Sequence, residues 1–399
     1  MAATAATGID VRPWSVERTP ALPVGTCLLH IGPPKTGTTS VQAAFWASRH
    51  ATRAQGVRYA GTSRHSASAI LAVTGRRLPG DDHQPPIEHW GVLRDEVRAA
   101  ARQGRVLLSS ESFAYAAPEA VERIVDDLRP AAVHVVVTLR PLVRMVPSVW
   151  QEQVQSGATL GLDEWLASQL APDEGDDATY LWRLHRHDRL VERWASVVGP
   201  DQVTVLVADD ADHGAVLREF EAMSGLRPMT LLPVRDLANR ALTLPEIEAV
   251  RALRLRFLAA GVPKHEFHRI VRNGAAAYLK TRRPPPDEPR IELPRWAIER
   301  TGEVARRVVD GIAASGVRVI GDLDRLAAVP EGGREGAPPE AAASPEIAAW
   351  LAMGMMQAAT PRRDEERRRG RKLAAALIHR VRRSATRPVR AVRRRADPA

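Results

Sequence analysis

The chain is poor in cysteine and in aromatic residues: among 399 residues there are one Cys, five Phe and four Tyr. The single thiol, Cys27, excludes an internal disulfide framework and any metal site built from several cysteines, and it fits a reducing cytoplasm. No apolar run reaches the roughly eighteen residues of a membrane span, and Met1–Pro23 lacks the apolar centre of a signal peptide. A cytoplasmic location is therefore expected. An excess of positive charge is also missing from most of the chain, although the net charge is +10. Residues 361–399 hold 15 Lys and Arg against 4 Asp and Glu, a balance of +11, which leaves 42 against 43, or −1, for residues 1–360. A near-neutral body argues against specific nucleic-acid binding by the protein as a whole.

What is present is the composition of a soluble α/β protein, 44% hydrophobic and 26% charged, with apolar strands alternating with helical spacing. Strands are expected at 28–31, 56–62, 105–110, 133–139, 202–207 and 317–323. Helices are expected from about Ser40, at 88–103, 118–128, 163–170, 180–198, 216–223, 244–260, 264–280 and 294–314. This progression predicts an open, mostly parallel sheet with helices on both faces, a helical layer after it, and a basic C-terminal tail. The expected organisation is an extension over 1–24, an α/β domain over 25–329, a linker over 330–345 and a helical, basic tail over 346–399. In that tail Leu373, Leu377, Ile378 and Val381 form one stripe of an arginine-rich segment, a pattern suited to an anionic membrane surface.

The chain is organised around Leu28–Gln42, LLHIGPPKTGTTSVQ. A short apolar strand runs into a loop bracketed by Gly32 and Gly37, and a helix opens behind it. Backbone N–H groups and the positive end of a helix dipole then converge on one point, an anion cradle to which Lys35 adds a mobile charge. A Walker loop carries Lys directly after its second Gly, followed by Ser or Thr for magnesium; here Thr38 follows Gly37 and the lysine lies inside the loop. The sequence Pro34-Lys35-Thr36-Gly37-Thr38-Thr39 resembles the phosphosulfate-binding loop of sulfotransferases that use 3′-phosphoadenosine 5′-phosphosulfate (PAPS). Val137-Thr138-Leu139-Arg140, with Ser148 eight residues after the arginine, resembles that family's second nucleotide motif, although Arg140-Pro141-Leu142 replaces its usual Arg-Asp-Pro wording. The resemblance covers about residues 25–325. It implies a P-loop sulfotransferase fold, PAPS as sulfuryl donor and no metal. It further implies that Arg140 and Ser148 contact the 3′-phosphate, and that Lys35 stabilises the leaving phosphate.

A general base is also needed near the transferred group, and two candidates stand at strand ends: Glu111 after the third strand and His65 after the second. The acceptor, a small molecule, lipid or glycan carrying a hydroxyl or amine, is not legible. Arg272-Asn273-Gly274 resembles a further phosphate-binding segment of the family with its middle lysine replaced, but its context reads first as the surface of a basic helix. His185-Arg186-His187-Asp188 suggests a metal pair, but residues two apart on a continuous helix do not share a face. Asn239 is either a polar residue of the site or a helix cap. Two other functions fit the sequence. One is a nucleotide kinase, with the strand Val203–Val207 ending near Asp209 as a magnesium-holding segment. The other is a noncatalytic nucleotide-binding protein tethered by its tail.

Overall fold

The computed structural model describes residues 11–12, 19–77, 83–170, 179–209, 211–212, 214–234, 240–339 and 341–360. Asn239 and the basic tail, 361–399, lie outside these residues. Seven strands form one sheet: β1 (Val11–Arg12), β2 (Thr26–His30), β3 (Val57–Tyr59), β4 (Arg105–Ser109), β5 (Ala132–Leu139), β6 (Val203–Val207) and β7 (Arg318–Ile320). Their order is β1-β7-β6-β5-β2-β4-β3, and every pairing is parallel. The protein is therefore an α/β fold with an open parallel sheet, as the alternation in the sequence predicts.

The central strands β2, β5 and β6 are buried along nearly their whole length because both faces of the sheet are covered. Leu28, Leu107, Val136 and Leu206 point to one side, where α1 (Thr38–Ala47) brings Val41 and Phe45. Cys27, Leu29, Val106, Val135, Val137 and Val205 point to the other, larger core. That larger core is roofed by α3 (Ala67–Val73), α4 (Glu88–Ala101), α5 (Pro118–Leu128) and α6 (Leu142–Gln155), which follow the short α2 (Arg49–Arg53). Later in the chain come α7 (Leu162–Leu170), α8 (Tyr180–His185), α9 (His187–Val198) and α10 (Ala215–Ser224), which places Phe220 edge-on against Phe45 and His30 at ring separations of 6.0 and 4.9 Å. Burying each such ring contributes roughly 1.5–3 kcal/mol.

A helical layer follows: α11 (Leu244–Ala259), α12 (Lys264–Phe267), a π-helix (His268–Ala276), α13 (Ala277–Leu279), α14 (Arg295–Ala314) and α15 (Pro345–Ala359). The expected helix at 264–280 thus contains a π-helical stretch. It is the stretch on which α15 lies: a Cβ on Gly274 would sit 2.8 Å from the Gly354 carbonyl, and one on Gly354 would sit 2.7 Å from Ala275 Cα. Two glycines let the backbones touch. The expected single helix at 180–198 is instead two helices, broken at Arg186 (ψ 76°). The Arg186 guanidinium donates to both oxygens of Asp188, at 2.9 and 2.6 Å, an i to i+2 contact that a continuous helix does not allow. β1, α2 and α3 are additional to the expected elements.

Candidate nucleotide and transfer site

β2 lies where the order of the sheet turns. Its chain neighbours β3 and β4 lie on one side, and β5 begins the progression to the other. Ligands of open parallel sheets bind beyond the strand ends at such a reversal. The loop after β2 is tied down by its own hydroxyls. Thr36 Oγ1 donates to the Pro33 carbonyl (2.7 Å), and Thr38 Oγ1 donates to the Gly32 carbonyl (3.2 Å). Gly32 is required by space, since a Cβ there would sit 1.8 Å from Thr38 Oγ1. Lys35 and Gly37 adopt left-handed backbone, φ 72° and 99°. Gly37 caps α1 without a side-chain hydrogen bond, and α1 has no acidic residue in its first turn. The Ser40 amide donates to the Gly37 carbonyl at 2.9 Å, and the positive end of the helix dipole faces the loop, a setting that suits an anion.

Beneath the loop a buried polar network ties three strands together. His30 Nδ1 meets Ser109 Oγ at 2.9 Å, and its Nε2 meets Thr138 Oγ1 at 3.1 Å. Thr138 Oγ1 also lies 3.3 Å from Thr36 Oγ1, and Gln42 donates to the Ser109 carbonyl. Burial lowers the His30 pKa to about 3, so the imidazole is neutral and serves as a hydrogen-bonding strut. Nothing in the spacing of the motif singles out His30, Gln42, Ser109 or Thr138. The available signal is that polar residues occupy the last positions of otherwise apolar strands.

Lys35 is exposed at the mouth of a cleft of about 330 Å³, lined also by Glu152, Gln155, Arg272, Asn273 and Lys280. Its Nζ lies 3.4 Å from Glu152 Oε2, and Glu152 also faces Arg272 at 3.8 Å. Arg272, on the π-helix, donates to Ser156 Oγ at 2.6 Å. Glu111 opens the short 3₁₀ turn after β4 and shares this electrostatic environment. Its pKa is raised, first by desolvation and then by Glu152, against the lowering effects of Lys35, Arg76 and Arg272. Desolvation, together with Lys35, lowers the pKa of Lys280. The sequence did not single out Glu152, which sits one helical turn after Ser148 on α6 and carries no motif.

The remaining candidates are distributed around this point. Arg140 is the residue immediately after β5, and Pro141 caps α6. Ser148 is half-buried on α6, on the face that Glu152 continues. His65 is exposed in the loop beyond β3, which lies at the sheet edge two strands from β2, and its pKa is lowered by desolvation and by Arg64. The structure thus brings Lys35 together with Glu152, Arg272 and Lys280 in one cleft; Glu111 is an exposed residue outside that lining whose pKa their charges influence, and His65 lies in the loop beyond the edge strand. A second cleft of about 350 Å³ flanks the start of α6, lined by Pro141, Arg144, Asp209 and Arg325 among others. The Asp209 carboxylate is paired with Arg325 and accepts from the Ala211 amide, and β6 is separated from β2 by β5. His185 and His187 are buried, with Nδ1 of the first 3.3 Å from Nε2 of the second, because the break at Arg186 turns them together. Among the described residues no group of three or more His, Cys, Asp or Glu is arranged to hold a metal ion. No helix among them is long and apolar enough to cross a membrane.

No protein-family model matches the chain, and no curated protein matches it. Among solved structures it is similar to a sulfotransferase from Alicyclobacillus acidocaldarius, with 20% identity and a TM-score of 0.37 over 59% of this chain and 94% of that one.

Proposed function

We propose that the protein is a sulfotransferase that moves a sulfuryl group from PAPS to a hydroxyl or amine of a small-molecule, lipid or glycan acceptor in the cytoplasm. The observation that carries this reading is the Lys35 loop: left-handed backbone at Lys35 and Gly37 over the uncapped start of α1, with Glu111 in the same electrostatic environment. The tight, hydroxyl-tied loop and the helix start behind it fit a terminal phosphate, and Lys35 is the cation beside it. Arg140 and Ser148, at the next strand end and helix, are the residues proposed to hold the donor's second phosphate; Arg is suited to this by its bidentate geometry. When bound, the donor supplies an activated sulfuryl group whose S–O bond to the 5′-phosphate breaks as the acceptor's bond to sulfur forms.

Within that reading Glu111 takes the proton from the acceptor's O–H or N–H. Its pKa is raised, chiefly by desolvation and then by Glu152, which is the direction a general base requires. The loop backbone and the start of α1 face the negative charge that develops on the departing phosphate, and Lys35 joins them once it exchanges Glu152 for that phosphate. His65 is the weaker candidate for the base, because its loop stands at the edge of the sheet. Pairing of Asp209 with Arg325 occupies the acid that the kinase reading assigns to magnesium.

Two measurements test the proposal. Equilibrium binding is expected to favour adenosine 3′,5′-bisphosphate over ATP with magnesium; the reverse preference overturns it in favour of a phosphoryl-transfer enzyme. Labelled-sulfate transfer from PAPS to an acceptor extract is expected to fall by about 10²–10³ in Lys35→Ala, as for loss of one donor to a developing charge. If no Lys35-dependent product forms, the protein is a noncatalytic nucleotide binder.

A further inference from the structure

The cleft beside Lys35 holds more positive charge than its own residues neutralise. Three cations line it, Lys35, Arg272 and Lys280, against one carboxylate, Glu152, and the rest of the lining is Gln155, Asn273 and Ala277. Glu152 is already shared, at 3.4 Å from Lys35 and 3.8 Å from Arg272. Lys280 is half-buried, and among the described residues its ammonium makes no hydrogen bond and no ion pair. The cations on either side of it in the fold are satisfied. Arg282, two residues on and buried, pairs with Glu246 at 3.0 Å and Glu288 at 2.7 Å. Arg240, which donates to the Leu279 carbonyl, pairs with Glu246 at 2.7 Å. Desolvation and then the charge of Lys35 lower the Lys280 pKa, as expected of a cation that lacks an anion. Half-burying an unpaired charge costs stability, and a bound anion would offset that cost.

We propose that this cleft holds the acceptor and that the acceptor is anionic, with a carboxylate or phosphate ester placed against Lys280 beside its reactive hydroxyl or amine. The inference rests on the sulfuryl-transfer reading above. Within that reading Lys35 serves the donor, and Glu152, once displaced from it, remains beside Arg272. Lys280 is the positive charge left over, in the same cleft as the lysine at the transferring group. An apolar acceptor finds no match, because Ala277 is the single apolar residue of the lining. The wall that carries the cations is fixed in place. Residues 272, 273, 277 and 280 reach one cleft from the π-helical stretch His268–Ala276 and the turn after it, and π turns recur where a helix must aim side chains at a site. Gly274 of that stretch is backed by the Gly354 carbonyl of α15, and Arg240 holds the turn at Leu279.

The test divides an acceptor extract on an anion exchanger before labelled-sulfate transfer from PAPS. Label is expected mainly in the retained, anionic fraction. Label mainly in the unretained fraction overturns the proposal and leaves sulfuryl transfer standing, whereas label in neither overturns both. Phosphatase treatment of the retained fraction then separates the two forms of the anion: acceptor capacity lost supports a phosphate ester, and capacity kept supports a carboxylate. With that fraction, Lys280→Gln is expected to raise the half-saturating acceptor concentration roughly 10- to 100-fold, as for loss of one charge-assisted hydrogen bond. Lys280→Arg, which keeps the charge, is expected to recover most of that loss. Melting temperature and affinity for adenosine 3′,5′-bisphosphate are expected to stay near those of the wild type in both variants. An unchanged half-saturating concentration in Lys280→Gln overturns the proposal. So does a bisphosphate affinity that falls as far as the acceptor's, since Lys280 would then serve the donor.

Discussion

The Lys35–Glu152 pair provides the sharpest quantitative test of the site. Nζ and Oε2 are 3.4 Å apart, and the two side chains are 39% and 40% accessible, so the pair is worth only about 0.2–1 kcal/mol. A phosphate within hydrogen-bond reach of Lys35 Nζ would lie roughly 6–7 Å from the Glu152 carboxylate. At that separation like charges repel by about 0.6 kcal/mol in bulk water and about 2.5 kcal/mol at an effective dielectric of about 20. Glu152→Gln removes both the competing partner of Lys35 and the repulsion. Adenosine 3′,5′-bisphosphate is therefore expected to bind about 1–2 kcal/mol more tightly, roughly 5- to 30-fold in Kd, with the gain shrinking as salt is added. Calorimetric titration of both proteins over a range of ionic strength measures this. The same substitution removes one of the charges that raise the Glu111 pKa, so the acid limb of the transfer rate is expected to move to lower pH. Weaker binding in the variant, or an unchanged Kd with an unmoved acid limb, would show that the phosphate does not sit beside Lys35.

Gly32→Ala forces a Cβ to within 1.8 Å of Thr38 Oγ1, so the loop must open; an overpacking loss of about 1–3 kcal/mol in urea unfolding and loss of bisphosphate binding are expected together. Thr138→Val leaves His30 Nε2 and the Thr36 hydroxyl without a shared partner, and is expected to lower stability by about 1–3 kcal/mol. His134, whose Nε2 lies 2.9 Å from Thr204 Oγ1, has its pKa lowered by burial to about 4. Between roughly pH 6.5 and 4 the unfolded chain therefore holds a proton on this residue that the folded one does not. Stability then falls with falling pH by about 1.4 kcal/mol per pH unit for this residue. His134→Gln is expected to flatten the pH dependence of the unfolding free energy by about that slope, and an unchanged slope would rule out a neutral buried imidazole.

The sheet was legible because it is parallel and covered on both faces. Val133–Leu139 and Val203–Val207 are nearly continuous β-branched and apolar runs that suit no surface strand, and stretches of helical spacing lie between them. What escaped the sequence was decided by contacts distant along the chain. β1 is two residues long and exists through its pairing with β7 at the far edge. The break at Arg186 is stabilised by a pairing with Asp188 that no periodicity records. The π-helical stretch at His268–Ala276 underlies α15, about eighty residues later in the chain, and depends on the two glycines where the helices touch.

The site divides in the same way. Its backbone part was written into a contiguous stretch: glycine spacing, two prolines and a lysine between the glycines determine where amides must point, and those positions take left-handed backbone. Its side-chain part is assembled from four separate segments. Glu152 is an acid on a helix surface until α6 is laid beside the loop, and Arg272 is a helix cation until a π turn carries it to the same cleft. His185 and His187 make the converse point. Spacing alone separates them on opposite sides of a helix, whereas the break brings Nδ1 of His185 to 3.3 Å from Nε2 of His187. A residue pair is a site only in a backbone that aims it. In this chain the backbone aims Lys35 at Glu152, so under the proposed function a phosphate reaches the lysine only by displacing that carboxylate.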